Sequence, residues 1–575
     1  YEKPLAGDLS VPQLAKLIQK TMPEDDPGTL SIEESEQVAQ YVYDAFYSAI
    51  ARERNQPARI ELARLTVRQY QLSVADLIGS FREKPVWNNE RGLKAEYFES
   101  RRPGDRRQLK ESRNDPQVSF QFGTKPPIEK IRNPHEFSIR WEGSLLAPET
   151  GDYQLVVRTE HAARLWLNDN NDPLIDAWVK SGDGTEFTAE LFLIGGKVYP
   201  LKLEYSKANQ GVNKEQKGPA PPSSIALLWK RPHGEVELIP NRNLAPHRQP
   251  EVFVCDSPFP PDDRSYGWER GTAISKAWER ATTDAAIQIG RYVTKHLDRM
   301  TSTRRGDKNR TERVKAFCRT FADRAFRRPV SDDMAAWLIE RQFAEAPSVE
   351  NAVKRVVLLT LKSPRFLYRE VGGPDQYDVA SRLSFGLWDS IPDETLLNAA
   401  RDGQLKTEDQ VAAQAERMMN DLRAKTKIRN FLLAWLHANS EMDIEKDTKK
   451  YPGYDQSIAS DLRTSLELFL DEVVWSEKSD YRELLLSENV YLNDRLAKFY
   501  EVKDNRAGEK DFAPVKLDDG KRAGILTHPY LMAINAHESE TSPIHRGVFI
   551  VRGVLGHALR PPPEAVTPLP ADLHP

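Results

Sequence analysis

The sequence predicts a multidomain α + β protein: a mainly α-helical body, one inserted antiparallel β-sandwich, and a separate partial helical segment at the N-terminus. Three observations carry this. The chain has 575 residues, well beyond the ~250–300 at which one hydrophobic core stops growing. Hydrophobic residues make up 39% and charged residues 29%, enough apolar material for packed cores. The periodicity changes from helical to strand-like near Gly92 and returns to helical after Pro250.

The first ninety residues read as helices. In Val11 to Lys20, Leu14, Leu17 and Ile18 share one stripe at 3.6-residue spacing. The segment Thr21-Met22-Pro23-Glu24-Asp25-Asp26-Pro27-Gly28 breaks the pattern through two prolines and a glycine. Ser31 with Glu34 three positions on reads as a capping box. The helix behind it carries Val38, Tyr41, Val42 and Ala45, and a further helical stretch is expected from about Arg59 to Phe81.

From Gly92 to about Pro246 the pattern is period two. Phe137 to Trp141, Tyr153 to Val157 and Tyr199 to Tyr205 are the clearest strands, separated by turn clusters such as Glu149 to Asp152, Asn168 to Pro173 and Gly195-Gly196. Many short strands with such punctuation predict an antiparallel sandwich. Apolar stripes at helical spacing then recur in Ala335 to Phe343, Ala380 to Trp388, Val411 to Leu422 and Leu462 to Val474. The segment from Lys516 onward is mixed and ends in a proline-rich stretch that favours extended polyproline II. The expected divisions fall at 1–57, 58–91, 92–248, 249–345, 346–505 and 506–575.

Composition excludes several function classes. Lys+Arg 82 against Asp+Glu 86 gives −4, without the basic excess of a dedicated nucleic-acid binder. No apolar run approaches the ~18 residues of a membrane helix. The two cysteines, Cys255 and Cys318, lie too far apart for CxxCH haem attachment, a four-cysteine zinc site or a CxxC redox pair. GxSxG, a P-loop and a strand-borne GxGxxG are absent. The chain starts at Tyr1 without a basic-then-apolar leader, which reads as a processed, trimmed or partial product.

Several residues offer chemistry. The Met22 thioether is a soft ligand suited to haem iron, or a filler between two helices. Asp169, Asp172 and Asp176 offer oxygen ligands for calcium, while the same Asn/Asp-rich run suits a hairpin turn. Trp166 and Trp178, with Trp229, are either sugar-stacking platforms or sandwich core. Arg324, Arg327 and Arg328 before Pro329 read as an arginine network at a helix end. His528, His537, His545 and His557 match no zinc spacing and read as scattered structural histidines or a source of a second haem ligand.

The strand segment resembles the β-sandwich domain of the anthrax protective antigen, shared with yeast flocculins and some glycosidases. The matching residues are Gly92 to Phe98, Phe137 to Trp141, Gly151-Asp152-Tyr153, Arg164 to Asn168, Ile175 to Trp178 and Leu227-Leu228-Trp229. The resemblance implies carbohydrate or protein binding. The paired aspartates that hold calcium in sugar-binding members are replaced here by Thr159-Glu160-His161-Ala162.

The helical remainder resembles large exported planctomycete proteins of unknown function fused to a cytochrome c domain. It does so through Phe321 to Pro329, Ser363 to Tyr368, Arg382 to Trp388, Val490 to Tyr500, Gly524 to Thr527 and Thr541-Ser542-Pro543 with Arg546-Gly547. The N-terminal segment resembles the distal half of a cytochrome c domain.

The resemblance implies Met22 as an axial ligand of haem c attached by a segment outside this chain. It implies a Cys255–Cys318 disulfide, against the alternative of two buried free thiols, and an exported, periplasmic or cell-surface location. It leads to electron transfer coupled to binding of a polysaccharide or protein partner, in a homo- or hetero-oligomer. The alternatives are a non-catalytic carbohydrate-binding or structural assembly and, less favoured, a hydrolase built from converging Asp, Glu and His.

Overall fold

A computed structural model describes residues 9–48, 63–179, 183–208, 220–265, 268–369, 375–438, 444–502, 511–517 and 522–557. Most of the proline-rich tail lies outside these. The chain divides into two units, Tyr1–Ala63 and Arg64–Pro575.

The first unit holds α1 (Val11–Thr21) and α2 (Ile32–Val42). The capping box forms as expected. Glu34 donates its backbone N–H to Ser31 Oγ at 3.2 Å, and Ser31 donates its own to Glu34 Oε2 at 2.9 Å, satisfying two otherwise orphaned donors. Leu14, Ala15, Ile18 and Ala39 form a small core. Leu17, Val38 and Tyr41 keep 48%, 42% and 71% of their surface exposed.

In the second unit the helix expected over Arg59 to Phe81 is shorter: α3 runs Val67–Gly79, opened by a Thr66–Gln69 capping box. Residues 59–62 lie outside the described set, and Arg64 instead bridges to Tyr368. Nor is α3 a linker. Tyr70, Val74, Leu77 and Ile78 sit in one core with helices more than two hundred residues away.

The sandwich follows. Its strands are β1 (Leu93–Phe98), β2 (Leu109–Asp115), β3 (Ser119–Gly123), β4 (Phe137–Leu146), β5 (Gly151–Thr159) and β6 (Ala162–Leu167). They continue with β7 (Ile175–Ala177), β8 (Glu186–Leu193), β9 (Val198–Lys207), β10 (Ser223–Lys230), β11 (Val236–Leu238) and β12 (Leu244–Ala245). One sheet has the order β2-β1-β4-β9-β6-β7, with β12 also on β4. The other has β11-β10-β5-β8, with β3 on β10. Every pairing is antiparallel.

Trp141 and Trp229 are wholly buried between the sheets, each contributing roughly 4–6 kcal/mol by transfer from water. Asp115 satisfies two of the buried polar groups there, accepting from Tyr97 Oη at 2.6 Å and Trp141 Nε1 at 2.8 Å. Gly143 is required where β12 crosses β4, because a Cβ would strike the Ala245 carbonyl.

The helical body contains α4 (Lys276–Lys295), α5 (Arg310–Ala325), α6 (Val349–Lys362), α7 (Gln376–Trp388), α8 (Glu394–Arg401), α9 (Glu408–Met419), α10 (Leu422–Trp435) and α11 (Gln456–Trp475). The hairpin β13 (Asn489–Leu492) and β14 (Ala513–Lys516) and the short α12 (Pro529–Ile534) follow. The core does not divide at 345/346. Helices α3 to α6 share one cluster with Phe366, Phe385 and Ile391. A second cluster gathers α7 to α9, and a third gathers α10, α11, the hairpin and α12. Among the described residues no helix is long and apolar enough to cross a membrane.

Candidate functional site

The sandwich and the helical body meet along a buried ladder of ions. Arg231, just past β10, is 4% exposed. It donates to Glu237 Oε1 and Glu467 Oε2, both at 3.1 Å, and to Thr464 Oγ1 at 2.9 Å. Arg463, on α11 like Thr464 and Glu467, reaches Glu149 Oε2 at 3.2 Å on the β4–β5 connection, and Glu467 Oε1 lies 3.3 Å from its Nε.

Burial opposes the charge on Glu467, but Arg231, Arg463 and Arg429 outweigh it and hold the carboxyl at about 2. Glu149 goes the other way. Burial pushes it up, and the neighbouring Glu467 adds to the rise against the two arginines. A second weld joins Lys197 of the β8–β9 connection to Asp76 of α3, which also accepts from Arg423 of α10 at 3.0 Å and Ser390 Oγ at 2.6 Å. Breaking one partner of such a buried pair costs about 3–5 kcal/mol, so sandwich and body behave as one piece.

A cavity of about 420 Å³ opens on this seam between α3, the β4–β5 connection, His233, residues 259–264 with Glu269, α10 and α11. That is within the ~300–1,000 Å³ of small-molecule sites. Its carboxylates are engaged. Asp262 accepts from Arg64 Nη1 at 2.8 Å and the Val67 N–H at 2.7 Å, and Glu269 accepts from Arg68 at 2.8 Å and Arg264 at 2.6 Å. Gln71 and Asn430 also line the cavity, and neither side chain hydrogen-bonds another described residue. Phe259 adds an apolar wall. Two open amides beside an aromatic ring suit a polyhydroxylated ligand, whereas the paired carboxylates are poorly placed to move a proton.

The sequence-predicted residues fall elsewhere. Met22 packs half-buried against the Leu14–Ile18 cluster of the first unit. Two of the three aspartates expected to hold calcium have protein partners. Asp169 caps its own turn, accepting from Asn171 and Asp172 backbone N–H groups at 2.7 and 3.1 Å, and Asp176 pairs with Arg164 at 2.9 Å. Asp172 stays exposed, and no three His, Cys, Asp or Glu groups converge as a metal site among the described residues.

The two tryptophans expected as sugar platforms lie under cations. Trp166 is 8% exposed with Lys202 Nζ 3.5 Å from its ring centre, and Arg164 covers the half-buried Trp178 at 4.9 Å. The disulfide is replaced by two buried free thiols. Cys255 Sγ donates to Gln288 Oε1 at 3.4 Å, and burial pushes Cys318 up to about 12. Arg327 is structural, donating to the Arg365, Phe366 and Tyr368 carbonyls at 2.8, 3.3 and 2.7 Å.

His528 is buried and held down to about 3 by burial and by Arg522. Its Nδ1 accepts the Tyr530 N–H at 3.3 Å and its Nε2 faces Ser465 Oγ at 3.5 Å. Nε2 therefore carries the proton, the tautomer opposite to the one a base for Ser465 needs.

With this geometry in hand, comparison with known families is informative. A PA14 domain profile matches residues 89–243. The twelve-stranded sandwich is thus a PA14 β-sandwich, in agreement with the resemblance seen in the sequence. Two families of proteins of unknown function match the body, PSD4 (DUF1592) over 375–502 and PSCyt3 (DUF1588) over 522–575. The combination fits a planctomycete-type multidomain protein.

The anti-sigma-I factor RsgI3 of Acetivibrio thermocellus is 28% identical over 153 residues, covering 27% of this chain and 21% of that protein. The chain thus spans about a fifth of that curated relative. Among solved structures, an anti-sigma factor domain-containing protein from Clostridium clariflavum matches at 25% identity and TM-score 0.24, over 30% of this chain and 51% of that one. The PA14 domain of the MpAFP antifreeze protein matches at 10% identity and TM-score 0.23, over 29% of this chain and 98% of that one.

The seam residues escaped sequence reading because Arg231 and Glu467 lie 236 positions apart. One signal was available: Arg463 and Glu467 stand at i,i+4 inside the apolar run Leu462, Leu466, Phe469, Leu470 of α11, an unusual place for charge unless it is paired.

Proposed function

We propose that this chain is a carbohydrate-binding part of an exported, haem-associated multidomain protein, and that its sugar site is the seam cavity rather than the loops of an independent sandwich. The observation that carries this reading is the pair of unengaged amides, Gln71 and Asn430, in a cavity of about 420 Å³ whose walls come from both the PA14 sandwich and the helical body. Such a site reads a ligand with donors and acceptors on several sides. The test is retention of the full chain on insoluble polysaccharides. The double variant Gln71→Ala, Asn430→Ala should lose retention without a change in unfolding temperature. Undiminished retention by that variant defeats the reading.

The haem half of the proposal rests on Met22. It is the only sulfur in residues 1–63, which contain no Cys and no His, and Leu17, Val38 and Tyr41 leave apolar surface exposed on the same unit. These residues fit one side of a haem pocket: a thioether ligand and an apolar wall. Bound haem would supply one-electron transfer, its potential raised by the thioether. A histidine and the covalent attachment must come from outside residues 1–63. A Soret band on native material that shifts in Met22→Ala supports this half; iron-free native material defeats it.

A further inference from the structure

A second, smaller cavity of about 250 Å³ is lined by Arg231 and Glu467 of the ion ladder. Its walls carry five cations, Arg91, Arg231, Arg242, Lys425 and Arg429, against two carboxylates, Glu467 and Asp471. Both carboxylates are already committed. Glu467 lies between Arg231 at 3.1 Å and Arg463 at 3.3 Å, and Asp471 accepts from Arg429 Nε at 3.1 Å. Arg91 donates only to the backbone carbonyls of Asn88 and Glu90.

Arg242 makes neither a hydrogen bond nor an ion pair with a described residue. Burial lowers it and Arg231 and Arg429 repel it, a combination that Glu237 and Glu467 only partly offset. A wall with this excess of positive charge, partly shut from water, is strongly attractive to an anion.

We infer that this cavity binds an oxyanion, a carboxylate or sulfate group carried on a single sugar unit, with Arg242 as its principal partner. The size sets the limit. The volume falls below the ~300 Å³ at which drug-sized sites begin, so one ring fits rather than an oligosaccharide. Thr426 and Asn243, also on the wall, supply neutral donors for the rest of the ring, and Trp87 and Leu468 supply its apolar side. The inference deepens the carbohydrate-binding reading by naming an acidic sugar, and rests on it only for the sugar ring.

The experiment is isothermal titration of the full chain with glucuronate, galactose 6-sulfate and glucose. At least one of the two acidic sugars should bind tenfold or more tighter than glucose, with affinity falling as salt rises. Whichever binds identifies the oxyanion. Inorganic sulfate should compete. Arg242→Gln should lose at least tenfold in affinity while unfolding no earlier than the parent, because it removes a cation that has no ion-pair partner. Lys425→Gln, an exposed change, should lose a few-fold and guards against misfolding of the first variant.

Equal affinity for acidic and neutral sugars overturns the inference, as does unchanged binding by Arg242→Gln or failure of sulfate to compete. Retention of neutral polysaccharides that depends on Gln71 and Asn430 but shows no acid preference would remove this site and leave the seam site standing.

Discussion

Replacing Arg231 by Met tests whether the seam ladder holds the sandwich to the body. The substitution removes the hydrogen bonds from Arg231 to Glu237, Glu467 and Thr464 and its close approach, 3.5 Å, to Glu149. Glu467 and Glu149 retain Arg463, but each loses one of its two buried cations, and half-buried Glu237 loses Arg231. The expected loss is about 3–5 kcal/mol.

An internal standard is available in Arg158→Met. That residue pairs with Glu186 at 2.7 Å, with side chains 50% and 46% exposed, so its loss should stay below about 1 kcal/mol. Urea unfolding followed by tryptophan fluorescence reads the relevant region, since Trp229 Nε1 donates to Glu237 Oε1 at 3.0 Å. In Arg231→Met the sandwich transition should move to lower urea and separate from that of the helical body. The pH dependence supplies a second readout. Glu467 falls from 4.5 to about 2 on folding, worth about 3 kcal/mol that is complete above pH ~4.5 and lost as pH drops towards 2. Glu149, raised on folding, works with the opposite sign and loses stability as pH rises. The acid-side loss should shrink in the variant. A cost for Arg231→Met no larger than that for Arg158→Met would refute the reasoning.

The two thiols should be silent towards a thiol reagent in the folded protein and both should titrate after unfolding in guanidinium without reductant; no free thiol in the unfolded chain would restore the disulfide. Calcium and EDTA should leave the unfolding temperature unchanged, and Asp169→Ala should cost about 1 kcal/mol through loss of its turn bonds; a rise of several degrees with calcium would restore the calcium loop. His528 falls from 6.5 to about 3 on folding, so the unfolded chain binds its proton first. Stability should therefore decline as pH drops from ~6.5 towards 3, by up to about 5 kcal/mol. The urea midpoint against pH measures this, and His528→Gln should flatten the curve over that range.

What was legible in the sequence was local. Strand alternation located β4, β5 and β9, and Ser31 with Glu34 marked the start of α2, because both signals repeat within a few residues. The arginine cluster at 324–328 was read as a structural network for the same reason: a helix end followed by proline leaves carbonyls that cations satisfy. Reading failed where partners are distant. Trp166 and Trp178 have the composition of sugar platforms, but the sheet register places Lys202 and Arg164 over their rings. Asp169 to Asp176 has the composition of a calcium loop, but Arg164 claims one carboxylate and the turn claims another. The seam cavity draws its walls from six separated segments, none of which carries a motif by itself.

The place of α3 has a consequence for how the chain is made. Tyr70, Val74 and Leu77 emerge from the ribosome long before Val314, Phe317 and Phe321, the α5 residues in the same core. Until then α3 has an apolar face and no helix to receive it. The sandwich emerges between them and can close using its own contiguous strands. Once compact, it shortens the effective loop that α3 and α5 must bridge, lowering the entropy cost of joining them. The sandwich is in this sense the splint on which the helical body is set, and a strand mutation that slows it should leave α3 exposed to aggregation during synthesis.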